Sequence, residues 1–162
     1  MIYGWIIGGL AALDLGVKSV VEGQEDDTFP RDLPSAKGFI KLHKNHNSGF
    51  PFGFMKERPE LVKGIPLMVI SAMAGALAAM MQDKGKTVEK LGLSLVMGGA
   101  LSNLYDRVVR GYVVDYFTIE WKSLKKVVFN LGDMFVFLGS AVFVLAQAVG
   151  SLEDAGVKKK KK

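Results

Sequence analysis

The stretch Phe129-Asn130-Leu131-Gly132-Asp133-Met134 places a carboxylate directly before an apolar segment, 134–149, that carries no charge. A second aspartate lies earlier in the chain, in Gly111-Tyr112-Val113-Val114-Asp115-Tyr116-Phe117. An ionisable side chain in or beside a membrane span is costly and therefore marks a candidate functional site. Two carboxyls brought together, one ionised and one protonated, are the minimum equipment of aspartic-type hydrolysis. If the intervening loop folds back, these stretches predict a membrane-embedded aspartic hydrolase.

Four apolar segments organise the 162-residue chain. A bilayer crossing needs roughly 20 mostly apolar residues, with a range of about 17–25. Segments of this kind cover about residues 2–21, 65–81, 88–109 and 134–149. Outer segments 22–64 and 110–133 and a basic tail, 158–162, complete a single integral membrane domain. The predicted fold class is a membrane all-α bundle of four transmembrane helices with a small β-rich element on its outer face.

The β-rich element is expected in regions 38–54 and 116–129. Ile40 and Leu42 alternate with Lys41 and His43, which is the period of a half-buried strand. The sequence Asn47-Ser48-Gly49 predicts a turn in which glycine supplies a positive φ. Region 116–129 predicts extended or interfacial structure, because its tryptophan and lysines suit a headgroup layer. We expect residues 39–54 to cover the substrate as a clamp outside the bilayer.

Composition excludes several functional classes. The chain has no cysteine, so thiolate nucleophiles and disulfides are excluded. Its net charge of +5 equals the five lysines of the tail, which either lies on an anionic leaflet or is not native, and no nucleic-acid partner is predicted. His43 and His46 have no third ligand nearby, so we expect neither a metal nor a cofactor. The positive-inside rule favours placing both termini in the cytoplasm.

Polar side chains within the first and third spans form two further candidate groups. Gly99, Asn103 and Arg107 follow at i, i+4 and i+8 and share one helical face. The asparagine and arginine either position a carboxylate or a substrate carbonyl, or clasp the span ends together. Asp14 and Lys18 are an i, i+4 pair that can neutralise each other. That pair is either a structural intramembrane ion pair or a brace beside the two aspartates.

Four motifs, in register with the four spans, resemble those of one enzyme family. They are Asp14-x-x-x-Lys18, then Asn47-Ser48-Gly49-Phe50-Pro51-Phe52-Gly53, then Gly98-Gly99-Ala100-Leu101-Ser102-Asn103-Leu104-Tyr105-Asp106-Arg107 continuing through Gly111-Tyr112-Val113-Val114-Asp115-Tyr116, and Phe129-Asn130-Leu131-Gly132-Asp133. Together they are similar to the motifs of the lipoprotein signal peptidases (signal peptidase II). The chain departs from that pattern at Leu15, Ser102 and Gly132, where the family usually has Gln, Gly and Ala. Phe50 and Pro51 replace its usual paired alanines near the substrate loop.

The resemblance implies an intramembrane aspartic endopeptidase of the bacterial cytoplasmic membrane. Such an enzyme removes the signal peptide of diacylglyceryl-modified prolipoproteins just before the lipidated cysteine, at the outer face. Its catalytic residues would be Asp115 and Asp133. Supporting or substrate-binding roles would fall to Asn103, Arg107, Asn130, Asn47, Gly49, Asp14 and Lys18. We expect a monomer that works in membrane lipid, with diacylglyceryl chains entering laterally from the bilayer.

Two alternatives stay open. Tyr105-Asp106 and Leu131-Gly132-Asp133 echo the motifs of presenilin-like intramembrane proteases, which would use Asp106 and Asp133. Asn130 breaks the second of these motifs, because it stands where the motif has its first glycine. A structural role as the partner of Arg107 is sufficient to account for Asp106. A non-catalytic, lipopeptide-binding membrane protein of the same fold is the other alternative, and the two intact aspartate motifs argue against it.

Overall fold

The computed structural model describes residues 1–50, 53–83 and 85–160, with side chains to residue 152. Within these ranges the chain forms four long helices and three short strands. In order they are α1 (Ile2–Glu22), β1 (Arg31–Asp32), β2 (Ile40–Asn47), α2 (Pro59–Met80), α3 (Thr87–Val109), β3 (Val113–Ile119) and α4 (Leu131–Lys160). The departure expected at Pro51 and the lysine side chains of the tail lie outside the described residues.

Three of the four helices are long and apolar enough to cross a membrane: α1, α2 and the Leu131–Leu152 part of α4. The predicted fourth span, α3, is a helix of 23 residues but does not reach the same hydropathy among the described residues. The reason is its position, since α3 packs against α1, α2 and α4. Because other helices surround it, its buried face carries polar side chains, among them Lys90, Ser94 and Asp106. The fold is therefore mostly helical with a central polar helix.

Two helix boundaries differ from the predicted spans. Helix α2 begins at Pro59, six residues before the predicted start, so Pro59 occupies the first turn and Pro66 lies inside the helix. The added turns contain the charged residues Glu60 and Lys63, so they are not part of the continuous apolar segment that predicted the span. Helix α4 begins at Leu131, so Asp133 lies within its first turn. A negative side chain is favourable there, because the first helical N–H groups have no intrahelical partner.

The predicted small β-rich element is a three-stranded antiparallel sheet in the order β1-β2-β3. Strand β2 matches the alternating segment, while the two-residue β1 was not predicted. In the register of β2 and β3, Asn45 lies opposite Asp115 and Asn47 opposite Val113. An irregularity between Leu42 and Asn45 shifts this register. The sheet therefore delivers the asparagine end of β2 to the strand that carries Asp115.

Glycines bring α3 and α4 into backbone contact at two levels. A Cβ atom added to Gly139 would lie 2.5 Å from the Gly92 carbonyl oxygen, and one added to Gly99 would overlap the carbonyl oxygen of Gly132. Small residues allow such close approach of membrane helices, which associate through packing and hydrogen bonds rather than through the hydrophobic effect. The second contact fixes the first turn of α4, and hence Asp133, against the middle of α3.

We predict that Gly99→Ala destabilises the folded protein by on the order of 1–3 kcal/mol, the usual cost of overpacking. The added methyl group must displace α4, whose backbone it would overlap. Thermal unfolding in detergent measures the effect. The matched control is Gly75→Ala in α2, where nothing lies within 4 Å of the added Cβ. Equal melting temperatures for the two variants would contradict the close contact.

Candidate active site

The two aspartates are brought together by a short pairing between β3 and the chain just before α4. The Phe129 carbonyl oxygen accepts the N–H groups of Tyr116 (2.8 Å) and Phe117 (3.0 Å), and the Phe129 N–H donates to the Phe117 carbonyl oxygen (2.7 Å). This pairing folds the intervening loop back, as the sequence required. Asp115 on β3 and Asp133 in the first turn of α4 therefore line the same cleft.

Asn130 links the two carboxylates. It precedes α4, and its Oδ1 accepts the N–H of Asp133 (2.9 Å) while Asp133 Oδ2 accepts the N–H of Asn130 (3.1 Å). This reciprocal arrangement has the form of a helix capping box, with the aspartate in the place usually taken by Glu or Gln. The remaining Asn130 group, Nδ2–H, donates to Asp115 Oδ1 (2.8 Å). One buried amide thus fixes the helix start and both aspartates.

Each aspartate also receives a hydrogen bond from a second amide. Asn103 Nδ2 on α3 donates to Asp133 Oδ1 (2.9 Å), and Asn47 Nδ2 at the end of β2 donates to Asp115 Oδ2 (3.3 Å). Helices α3 and α4 and strands β2 and β3 therefore all converge on the pair. The neutral amides orient the carboxylates without adding a charge beside them.

The cleft has a volume of about 860 Å³ and two chemically different walls. Its polar wall holds the aspartates, two of their amide partners (Asn47 and Asn103) and Arg107. Its apolar wall includes Val127, Val136 and Phe137. Phe137 is 59% exposed on α4, a helix apolar enough to cross a membrane. The cleft can therefore accept a molecule with a polar backbone and an apolar part.

Arg107 lines this cleft. The side chain is 9% exposed, and its Nη1 and Nη2 groups donate to the carbonyl oxygens of Asn103 and Gly49, both at 3.2 Å. Its Nε–H is buried and makes no hydrogen bond to any described residue. Nearly all buried polar groups in folded proteins are paired, so this donor is an exception. Because the Nε atom is shielded from solvent, it is not open to the cleft that other atoms of Arg107 line.

The predicted turn at Asn47-Ser48-Gly49 forms, but one detail of the prediction is wrong. Asn47 Oδ1 accepts the Gly49 N–H (3.0 Å), as in an Asx turn. Gly49 does not have a positive φ; that conformation occurs at Gly53, with φ of +71°. Glycine is needed at position 49 because a Cβ atom would lie 2.7 Å from the Phe54 carbonyl oxygen. The constraint is space, not backbone conformation.

The polar groups of this turn are engaged within the protein. Asn47 uses its amide on Asp115 and Gly49, and the Gly49 carbonyl oxygen accepts from Arg107. These bonds hold the turn against the site, and Asn47 also lines the cleft. That Asn47 and Gly49 bind substrate backbone stays a prediction.

The Asp14–Lys18 pair forms inside the protein, with Lys18 Nζ 2.9 Å from Asp14 Oδ2 and both side chains fully buried. The ammonium group also lies 3.1 Å from Asp106 Oδ2, and it donates to Ser102 Oγ (3.1 Å) and Asn103 Oδ1 (2.7 Å). Through Asn103, which donates in turn to Asp133, the pair reaches the site. The pair is therefore both a structural ion pair and a brace.

Sequence reasoning missed Tyr116 and the role of Ser102. The Tyr116 hydroxyl donates to Asp14 Oδ1 and accepts the Leu131 N–H, both at 2.9 Å, so it joins α1 to the start of α4. Ser102 Oγ donates to Asp14 Oδ2 (2.5 Å). Strand alternation could have indicated Tyr116, since the neighbour of Asp115 must face the opposite side of β3. No sequence signal links Ser102 to a residue on another helix.

Asp106 does not pair with Arg107, contrary to expectation. Its partners are Lys18, Arg110 (2.7 Å) and the Val114 N–H (3.1 Å). Neighbours at i and i+1 on a helix do not face each other, whereas i and i+4 do. Asp106 is fully buried, and the residues that line the cleft do not include it. Its placement argues against a pairing of Asp106 with Asp133.

The two histidines are separated and bind different partners. His43 Nε2 lies 3.1 Å from Thr118 Oγ1, and His46 Nε2 lies 2.7 Å from Glu22 Oε1. Among the described residues, no group of three or more His, Cys, Asp or Glu side chains could hold a metal ion. The charged side chains that line the cleft are those of Asp115, Asp133, Arg107, Lys56 and Lys126.

Burial changes the acidity of Asp115. Removal from solvent raises the pKa of its carboxyl to about 7, and the charge of Asp133 adds to this increase. Hydrogen bonds from Asn130 and Asn47 act in the opposite direction. A carboxyl with such a pKa can hold a proton near neutral pH, which is the requirement for a general acid.

Comparisons with known proteins point to one family. The family model described as "Signal peptidase (SPase) II" matches residues 6–149. Lipoprotein signal peptidases of Brucella ovis and Brucella melitensis are each 31% identical over 144 residues, covering 85% of this chain and 84% of theirs.

Two solved structures titled as bacterial membrane enzymes share the fold. One has a TM-score of 0.72 at 20% identity, covering 99% of this chain and 93% of its own. The other has a TM-score of 0.75 at 19% identity, covering 90% and 92%.

The raised pKa of Asp115 predicts a pH-dependent stability. The folded protein holds this proton up to about pH 7, whereas the unfolded carboxyl releases it near 3.8. The unfolded state therefore binds fewer protons between these values, and stability falls as pH rises through the window. We expect the melting temperature of Asp115→Asn, relative to that of the unmodified protein, to increase from pH 4 to pH 8. A constant difference across this range would contradict the pKa.

Proposed function

Because the chain belongs to the signal peptidase II family, we propose that it removes the signal peptide of diacylglyceryl-modified prolipoproteins with Asp115 and Asp133 as its catalytic pair. Membership makes it a membrane protease that processes lipoproteins. The observation that carries the finer proposal is the position of Asn130, whose side-chain Nδ2–H donates to the Asp115 carboxylate and whose backbone N–H donates to the Asp133 carboxylate at a single cleft. The cut would fall just before the lipidated cysteine.

The two carboxyls divide acid and base work. In the proposed reaction, the ionised carboxylate takes a proton from a water molecule as the water oxygen bonds to the scissile carbonyl carbon. The protonated carboxyl donates its proton to the carbonyl oxygen. When the C–N bond breaks, the carboxyl that took the water proton passes it to the leaving amine, while the other carboxylate takes a proton from a hydroxyl of the intermediate, which leaves a carboxylic acid. The pair titrates as a unit, so its protonation state belongs to both residues.

The amides and Arg107 act as positioning and binding groups in this proposal. Asn103 and Asn130 hold the carboxylates through the bonds described above, and Lys18 with Asp14 braces Asn103 from behind. Arg107, which lines the cleft, would bind a substrate backbone carbonyl there through its guanidinium group. The reaction needs no metal or cofactor in this scheme, because the acid, the base and the carbonyl donor are all side chains.

The apolar wall supports entry of the substrate's lipid from the side. Val136 and Phe137 belong to a helix apolar enough to span the bilayer, and they line the cleft. Diacylglyceryl chains would reach this wall without leaving the hydrocarbon layer. The sheet and the partly exposed Phe50 and Phe54 would cover the peptide as a clamp. The Gly49 carbonyl oxygen accepts a hydrogen bond from Arg107, and this bond connects the clamp to the site.

We place the enzyme in the bacterial cytoplasmic membrane as a monomer, with α3 as the fourth span. At 1.5 Å per residue, the 23 residues of α3 extend about 34 Å, enough for a hydrocarbon core of about 30 Å. Four crossings put both termini on one side, which the positive-inside rule makes cytoplasmic. The sheet and the cleft then lie at the outer face, where the signal peptide emerges.

Asp115→Asn and Asp133→Asn should each reduce cleavage by roughly a hundred- to ten-thousandfold, the range of a lost general acid or base. Each substitution keeps the shape of the side chain and removes its acid–base capacity. Purified protein in detergent would be incubated with a lipidated prolipoprotein and the product measured. The exposed Asp32→Asn serves as the matched control. Near-normal product from either site variant would refute the pair, and an inactive unmodified protein that still binds substrate would indicate a lipopeptide-binding protein.

Asp106→Asn separates this proposal from a presenilin-like pairing with Asp133. We expect its turnover per folded molecule to stay within roughly tenfold of normal, since it supplies no acid–base step. Its melting temperature should fall, because Lys18 and Arg110 lose their shared counter-charge. Complete loss of turnover in a well-folded variant would favour the presenilin-like mechanism.

A further inference from the structure

A basic–aromatic patch lies where β3 leaves the sheet. It consists of Phe39, Trp121, Lys122, Leu124, Lys125 and Lys126, all of them exposed. Residues Lys122–Lys126 form a 3-10 turn, and the Glu120 N–H donates to the Phe39 carbonyl oxygen (2.9 Å), which places Phe39 beside the turn. The two aromatic side chains are 53% and 55% exposed. None of these side chains belongs to the two hydrophobic clusters of the described residues.

The lysines of the patch have no carboxylate partner among the described residues. The nearest acidic residue in the chain, Glu120, accepts a hydrogen bond from the Thr118 hydroxyl (2.8 Å). The Lys122 ammonium lies over the Trp121 ring, 5.1 Å from its centroid. Three positive charges and an indole therefore face outward together.

The backbone of this turn also argues that the lysines serve an external contact. Lys122 has φ of +47°, in the left-handed region that favours glycine or asparagine. A lysine at such a position is strained, and the contact that it makes is between its ammonium group and the Trp121 ring. The strained residue therefore holds its charge beside the indole at the protein surface.

The patch lies beside the start of an apolar helix. Lys126 lines the cleft together with Val136 and Phe137, which belong to the first turns of α4, a helix apolar enough to cross a membrane. The Phe129 ring, three residues after the turn, lies 6.3 Å from the Phe137 ring. Tryptophan and lysine are the residues that anchor proteins at the boundary between hydrocarbon and headgroups.

We propose that this patch docks on the anionic phospholipid headgroups of the leaflet that faces the cleft. The lysines bind the phosphates, while Trp121 and Phe39 enter the interface between headgroups and acyl chains. The turn joins β3, which carries Asp115, to the start of α4, which carries Asp133. Docking therefore holds the cleft mouth at headgroup level, where a lipid-linked peptide would present its bond. The docking itself does not depend on hydrolysis.

Fluorescence of Trp121 tests this contact directly. The chain has two tryptophans, so Trp5→Phe leaves Trp121 as the sole reporter. The full-length variant would be placed in nanodiscs of phosphatidylcholine alone or with phosphatidylglycerol added. We expect the anionic lipid to shift Trp121 emission to shorter wavelength and to increase its quenching by lipids labelled at the headgroup. Raised salt should reverse both effects, because it screens charge.

The charge variant replaces Lys122, Lys125 and Lys126 with Gln, and should lose the shift produced by anionic lipid. The matched control replaces Lys158, Lys159 and Lys160 with Gln, the same change of charge at the other end of α4, and should keep it. An inactive Asp115→Asn background should also keep it, so failure of the proposed hydrolysis would leave this result intact.

Two results would overturn the proposal. One is Trp121 emission that is identical in both lipid compositions, or that still shifts in the triple lysine variant. The other is emission that ignores lipid charge but changes when an acidic peptide is added, which would assign the lysines to substrate recognition.

Discussion

The ammonium group of Lys18 lies in the protein interior, surrounded by two carboxylates, a hydroxyl and an amide oxygen. A buried charge is tolerated only when its partners replace the lost hydration. Asp14, Asp106 and Arg110 complete a set of two positive and two negative groups, so the formal charges balance. Removing one member of a buried pair typically costs about 3–5 kcal/mol, which fixes the position of α1 against α3.

Neutral side chains connect this charged cluster to the elements that hold Asp115 and Asp133. Asn103 accepts from Lys18 and donates to Asp133, so the ammonium determines which end of the amide faces the carboxylate. Tyr116 connects Asp14 to the Leu131 N–H at the start of α4. The Lys18 ammonium therefore acts on Asp133 through the Asn103 amide that it orients. Burial still raises the pKa of Asp115 to about 7, although the charge of Lys18 acts in the opposite direction.

The same polar cluster explains why the central helix is the least apolar of the four. Helix α3 faces its neighbours, so it can hold Lys90, Ser102 and Asp106 at positions that lipid would not tolerate. Close contacts at Gly92 and Gly99 bring α4 near enough for Asn103 to reach Asp133. The packing of the bundle and the geometry of the site are therefore one arrangement.

The sequence by itself determined those features that follow from periodicity, from hydropathy and from the cost of burying a charge. It identified the apolar helices, a strand in the outer segment, the Asp14–Lys18 pair and the two aspartates, because an ionisable residue beside an apolar run stands out locally. It missed the first turns of α2 and the small strand β1, since polar helical turns and two-residue strands lack a distinctive pattern.

Only the tertiary structure decided which groups meet. The placement of Asn130 between the aspartates, the partners of Asp106 and the crowding at Gly49 all depend on atoms from different elements. Local patterns specify the direction of a side chain but not the neighbour it encounters. Those encounters are set by close packing of helices and by strand register, which arise only when the whole chain is folded.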